Sequence, residues 1–144
     1  MTTCGLAHVG GPETDEYGER GLHGPISNTP AEIISIIQPD PAAGKMEMSI
    51  TGIMQQVQAL GTQLVLKRTI SGTLGEAGIR VHDEVINKGN TVAPHMLLYH
   101  FNFGWPLVDE GADICWKGNW ESRDGNPDII FNESHPYKKC MAPL

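Results

Sequence analysis

From Ile33 to Phe103 the chain passes through successive short stretches whose side chains alternate in character. None holds a helical period for more than about two turns. This constrains the fold more than any other feature, because alternation with period two is the pattern of a half-buried strand. Lys45 to Gln55 places Met46, Met48, Ile50, Gly52 and Met54 on one side, with Glu47, Ser49 and Thr51 on the other. Leu60 to Ser71 sets Leu64, Leu66 and Ile70 against Val65, Lys67 and Thr69. Gly78 to Asn87 sets Ile79, Val81, Asp83 and Val85 against Arg80, His82, Glu84 and Ile86. Ile33 to Gln38 is a shorter β-branched run, and Pro39 to Gly44 is a turn. Arg68 breaks the leucine face, so it lies either at the sheet margin, the favoured place, or turned toward a polar pocket. The best helical candidate is Met54 to Leu60.

The segment Ala93 to Gly111 gathers histidines, aromatics, an amide and two adjacent carboxylates around an apolar run. Met96 to Phe103 is expected to be a strand with Leu98, His100 and Asn102 on one face and Leu97, Tyr99, Phe101 and Phe103 on the other. Gly104 and Pro106 end it. The short Asn87–Asn90 turn makes this strand the expected antiparallel neighbour of Gly78–Asn87. The first thirty residues are expected to be loops, with Pro25 and Pro30 keeping the chain extended and Gly24 allowing close approach beside His23. Ala112–Trp116 and Ile129–Phe131 are further short strands. The expected fold is all-β, an antiparallel β-sandwich forming one domain over residues 1–144.

Charge narrows the partners. A net charge of −7 with no basic cluster longer than Lys138-Lys139 argues against nucleic acid and against an anionic membrane surface. No stretch approaches the roughly 20 apolar residues of a membrane helix. The start, M-T-T-C-G-L, does not read as a secretory signal. Cys4, Cys115 and Cys140 are odd in number and widely spaced, so a reduced, cytoplasmic chain is expected.

Five motifs occur in order: T-T-C-G-L (2–6), L-H-G-P-I-S-N-T-P-A-E (22–32), L-K-R-T-I (66–70), H-D-E-V-I-N-K-G (82–89) and L-L-Y-H-F-N-F-G-W-P-L-V-D-E-G (97–111). Together they resemble the aldose 1-epimerase superfamily, whose fold is the galactose mutarotase-like β-supersandwich. The likeness is to a branch described as a domain of unknown function. It implies that His100, in Y-H-F-N, is the general acid that protonates a sugar ring oxygen. His23, in L-H-G, would contact the sugar, with Asn102 in support. Asn28 and Arg68 carry over as substrate-binding positions, and Asp109 and Glu110 match the branch's pattern. Mutarotation removes a proton from the anomeric hydroxyl and delivers one to the ring oxygen. An imidazole, with a reference pKa of about 6.5, suits that task, and no metal or nucleotide cofactor is required.

Relatives in that superfamily are about twice as long and carry a C-terminal Glu-Pro-type motif that supplies the general base. Glu121 and Glu133 lie in the wrong context to replace it. The chain thus resembles a central fragment, with activity impaired by the missing base. A half-sandwich leaves strand edges and apolar surface uncovered, so self-association into a homo-oligomer is expected. A non-catalytic carbohydrate-binding sandwich is the alternative. A cupin-like metal site at His95, His100 and Glu110 is a further one, opposed by the odd His95–His100 spacing, which puts the two on opposite strand faces. The central expectation is that the imidazoles of His23 and His100 converge on one pocket.

Overall fold

The computed structural model describes residues 1–15, 18–112 and 117. Among the described residues eight strands follow in order: β1 (Thr2–Leu6), β2 (Glu13–Asp15), β3 (Gly18–Arg20), β4 (Glu32–Ile37), β5 (Glu47–Val57), β6 (Gln63–Thr73), β7 (Ile79–Asn87) and β8 (Met96–His100). The helical elements among the described residues are two 3-10 turns, Ile26–Asn28 and Pro41–Ala43. The fold is all-β and antiparallel throughout, with a four-stranded sheet β4-β5-β6-β7 and two-stranded pairs β1-β8 and β2-β3. No helix among the described residues is long and apolar enough to cross a membrane.

The alternating runs became β4 to β7 because each joins its neighbour through a short turn. At Pro41–Ala43, Asp40 accepts a hydrogen bond from the Ala43 backbone N–H, and Gly44 follows at φ 70°. That positive φ is one glycine adopts without steric cost. Met54–Leu60 is not helical. β5 runs on to Val57, and Gln58 then closes a tight turn by donating its N–H to the Thr62 carbonyl.

Other expectations are corrected as well. β8 does not pair with β7 but with β1, in a register that sets His100 against Thr2 and Met96 against Leu6. It also ends at His100 rather than Phe103. The ladder with β1 ends at the Thr2–His100 pair. Asn102 therefore shares no strand face with His100. The opening residues are also less loop-like than their glycines suggested, since β1 lies among them. Pro25 does not extend its segment, because it sits in the right-handed helical region at φ −81°, ψ −13° and starts a 3-10 turn.

One face of the large sheet meets β1 and β8. Leu64 and Leu66 of β6 pack with Leu6, Ala7 and Ile26, and Met54, Val85, Ala93 and Leu97 close around them. This is the sandwich core. Fully burying a leucine side chain such as Leu6 or Leu66 is worth roughly 1.5–3 kcal/mol.

The chain divides into two compact units, Met1–His100 and Phe101–Leu144. In the second, Phe101 and Phe103 stack with ring centroids 5.5 Å apart. Leu107 and Val108 there donate their N–H groups to the Gly104 carbonyl. The sequence-predicted strands Ala112–Trp116 and Ile129–Phe131 lie outside the described residues, apart from Ala112.

Candidate functional site

β1 organises the site. On one side it carries β8 and hence His100. Its Gly5 N–H donates to the His23 carbonyl at 3.1 Å, and the His23 N–H donates to the Gly10 carbonyl at 2.8 Å. These bonds hold His23 at φ 63°, a left-handed conformation uncommon for a residue with a Cβ. The next residue shows why the turn reads L-H-G. Gly24 is buried at φ 77°, and a Cβ there would lie 2.4 Å from the His8 carbonyl oxygen and 2.5 Å from that of Gly5. The close approach expected at Gly24 is thus made by the chain's own backbone.

The result brings His23 and His100 together, with ring centroids 6.5 Å apart and planes tilted by 45°. His23 is half-buried and His100 exposed, so neither ring is walled off by hydrocarbon. His8 is buried in a separate role. Its Nε2 bonds the Gly11 carbonyl at 2.9 Å and its Nδ1 lies 2.9 Å from Glu13 Oε1, so both nitrogens are engaged.

A cavity of about 360 Å³ adjoins β1 and is lined by Thr2, Thr3, Asn28, Leu66 and Arg68 among others. Two residues carried over from the motifs, Asn28 and Arg68, therefore face one space. Thr2 belongs both to that wall and to the ladder position opposite His100. Sequence reasoning missed Thr3. Its hydroxyl is buried with no hydrogen-bond partner, a state that costs free energy unless a ligand or solvent satisfies it.

Arg68 is not at the sheet margin. It lies mid-strand on β6, the side chain 15 % exposed, directly across from Asp83 of β7, whose side chain is 3 % exposed. A leucine-face position accepts an arginine here because the charge is matched. Arg68 donates from Nε to Asp83 Oδ1 at 2.8 Å and from Nη2 to Oδ2 at 2.6 Å. This is the bidentate geometry that guanidinium and carboxylate favour. Tyr99 of β8 adds a third donor, its hydroxyl 2.6 Å from Asp83 Oδ2, and the Arg68 guanidinium lies 5.9 Å from the Tyr99 ring centroid.

Burial pushes the Asp83 carboxyl up, but the hydrogen bonds from Arg68 and Tyr99 outweigh it and hold the group below its ordinary value. The hydrogen bond to Asp83 raises Arg68 against the opposing effect of burial, and it also raises the Tyr99 phenol. The sequence did carry a signal for this array: Arg68 and Asp83 are the charged residues that interrupt two otherwise apolar strand faces.

Asn102, Asp109 and Glu110 belong to the second unit and are exposed. Within that unit Asp109 Oδ1 accepts the Glu110 N–H at 2.8 Å. Among the described residues no group of three or more His, Cys, Asp and Glu side chains is arranged to hold a metal ion.

A family model described as "Domain of unknown function (DUF4432)" matches residues 1–144. The chain belongs to the DUF4432 family. No curated protein and no solved structure matches it. In this DUF4432 chain, the features tied together by β1 are the two facing imidazoles and a cavity walled by Thr3, Asn28 and Arg68.

Proposed function

We propose that this chain is a carbohydrate-active protein of the aldose 1-epimerase type that acts on the anomers of a small sugar in the cytoplasm. The observation that carries this reading is the approach of His23 and His100 to 6.5 Å, with His23 half-buried and His100 exposed. Two imidazoles at that spacing can reach neighbouring oxygens of one polyhydroxylated ring lying across them, one as hydrogen-bond partner and one as proton donor. In the proposed step His100 gives a proton to the ring oxygen as the C1–O5 bond breaks, while the anomeric hydroxyl loses its proton to a base. His23 orients the sugar. Asn28 and Arg68, which line the neighbouring cavity, offer an amide and a guanidinium of the kind that sugar hydroxyls require.

A second reading is binding without turnover. It is favoured by the state of Asp83, whose carboxylate already accepts from Arg68 and Tyr99 and so is not free to act as base.

NMR exchange spectroscopy on a panel of hexoses, pentoses and sugar phosphates separates the two. Catalysis predicts faster anomer exchange with wild-type protein, lowered roughly 10²–10⁴-fold in His100→Asn. Calorimetric titration of the same sugars then reads His23→Ala as weakened binding. Binding with no exchange selects the second reading, and neither exchange nor binding for any sugar sinks both.

A further inference from the structure

A second cavity, of about 880 Å³, is bordered by the end of β5, the end of β3 and the L-H-G turn. Leu22 and Gly24 line it, but His23 between them does not, and neither does His100. It is thus distinct from the imidazole pair and much larger than the space beside Arg68. Its volume lies in the upper part of the range of roughly 300–1,000 Å³ that small-ligand sites occupy.

Three glutamines line this space, Gln55 and Gln56 at the end of β5 and Gln58 just beyond it. Two of them are held in place by their carbonyl ends. Gln56 Oε1 accepts the Leu6 N–H at 2.9 Å, which ties β5 to β1, and Gln58 Oε1 accepts the Thr62 hydroxyl at 3.1 Å. An amide also carries two donor hydrogens on its nitrogen. Among the described residues neither Nε2 group has a hydrogen-bond partner. Each side chain is therefore fixed at its acceptor end and unspent at its donor end, so little rotamer freedom is left to lose on binding.

The rest of the lining narrows what those donors would meet. Leu22 and Val57, 61 % and 58 % exposed, add apolar surface. The charged groups are one carboxylate, Glu19, and one guanidinium, Arg20, which already donates to the Ala7 carbonyl at 3.2 Å. His8 has both ring nitrogens engaged. No surplus charge is offered to a phosphate or a carboxylate. A matching ligand has many hydroxyls to accept from amide nitrogens, C–H faces to cover apolar side chains, and no net charge.

We propose that this cavity binds a short neutral oligosaccharide, its hydroxyls on the donor ends of Gln56 and Gln58 and a C–H face against Leu22 and Val57. The assignment rests on this lining and not on the imidazole pair, and it holds whether or not a sugar is turned over at His100.

NMR titration of the full, isotope-labelled chain with maltotriose, cellotriose and xylotriose tests it, with trigalacturonate as the charged control. At least one neutral trisaccharide is expected to move the Gln56 and Gln58 side-chain amide signals and to leave the His23 and His100 ring signals in place. Gln56→Glu and Gln58→Glu keep an oxygen for the Leu6 N–H and the Thr62 hydroxyl and replace the donor NH2 by a second oxygen. Each is expected to weaken trisaccharide binding about fivefold and to leave the anomer exchange of single sugars as in wild type. Gln55→Ala, at an exposed side chain that makes no hydrogen bond among the described residues, is expected to weaken binding in the same direction without disturbing the fold. No shift with any of the three neutral trisaccharides at millimolar concentration overturns the proposal. So do shifts confined to the histidine rings, tighter binding of trigalacturonate than of every neutral trisaccharide, or unchanged affinity in all three variants. Anomer exchange of single sugars without trisaccharide binding sinks this site alone, and trisaccharide binding at the glutamines without exchange sinks only the catalytic reading of His100.

Discussion

The two ends of the four-stranded sheet began from the same sequence pattern and met different fates. At one end Met54, Leu64, Leu66 and Val85 are covered by β1, β8 and the Ile26 turn. At the other, Met48, Ile50, Ile70 and Ile79 alternate just as regularly and remain exposed. Strand alternation says that a face is apolar; it does not say that something lies on it. The cover comes from segments about fifty residues upstream and thirty downstream, which only the fold brings together. The Arg68–Asp83 pair lies between the two ends, and Tyr99 reaches it from the covering strand. The contrast can be broken or sharpened one substitution at a time.

The largest effect is expected at that boundary. Asp83→Asn leaves the Arg68 guanidinium half-buried without its counter-charge, and breaking such a pair from one side costs about 3–5 kcal/mol. The pH dependence follows from the direction of the shift. Asp83 is held below the unfolded carboxylate value of 3.8, so its contribution is full above that value. It is lost as pH falls through the lower folded value. Urea unfolding over a pH series should therefore show a constant gap between wild type and Asp83→Asn near neutrality, shrinking in acid below 3.8. A gap that does not change with pH would count against the pairing.

Next is a direct comparison along one face of one strand. Leu66→Ala removes a fully buried side chain and is expected to cost about 3 kcal/mol, with some cavity left behind. Ile70→Ala, four residues on, is expected to cost about 1 kcal/mol or less, because Ile70 already faces solvent. Equal costs would mean that the far end is covered after all.

Glycine substitutions make the same contrast in the backbone. Gly24 and Gly75 both have positive φ, 77° and 90°, so alanine is strained at each. Only at Gly24 would the new Cβ meet backbone, the His8 and Gly5 carbonyls; at Gly75 nothing lies within 4 Å. Gly24→Ala is expected to cost about 2 kcal/mol more than Gly75→Ala in thermal unfolding, and to move the His23 ring signals in NMR spectra.

The strands of the large sheet were legible because their alternation is local and their turns carry proline, glycine and asparagine at the expected places. The nearness of His23 and His100 was legible through the motifs. What was not legible depends on pairing between distant segments. β1 has small residues and no strong alternation, so nothing in T-T-C-G-L marked it as a strand, and without it β8 had no visible partner but β7. The misplacement of Arg68 has the same origin. A charge on an apolar face reads as marginal until a carboxylate is seen opposite it, and that requires the β6–β7 register. Thr3 could not be found at all, since an unsatisfied hydroxyl has no pattern in sequence.

The smallest expected effect tests whether the covering strand is tied to the sheet by more than hydrocarbon. Tyr99 is largely open to solvent, yet its hydroxyl reaches Asp83 at 2.6 Å from a strand that shares no ladder with β7. Tyr99→Phe keeps the ring beside Arg68 and removes the hydroxyl that meets Asp83 and Arg68. Asp83 retains its two bonds from Arg68, so no charge is stranded, and the loss should be about 1.5–3 kcal/mol at most for a bond to a charged group, nearer 1 at an exposed hydroxyl. Tyr99 also loses the group whose pKa is raised by that bond, so the wild-type advantage should fade as pH rises through the folded phenol's value, above the ordinary 10.0. Urea unfolding of both proteins near neutrality and at pH values above 10.0 reads this. If the Tyr99→Phe gap is additive with that of Asp83→Asn in the double variant, the hydroxyl and the carboxylate act independently, and β8 is held over the sheet by Leu97 and its apolar neighbours alone.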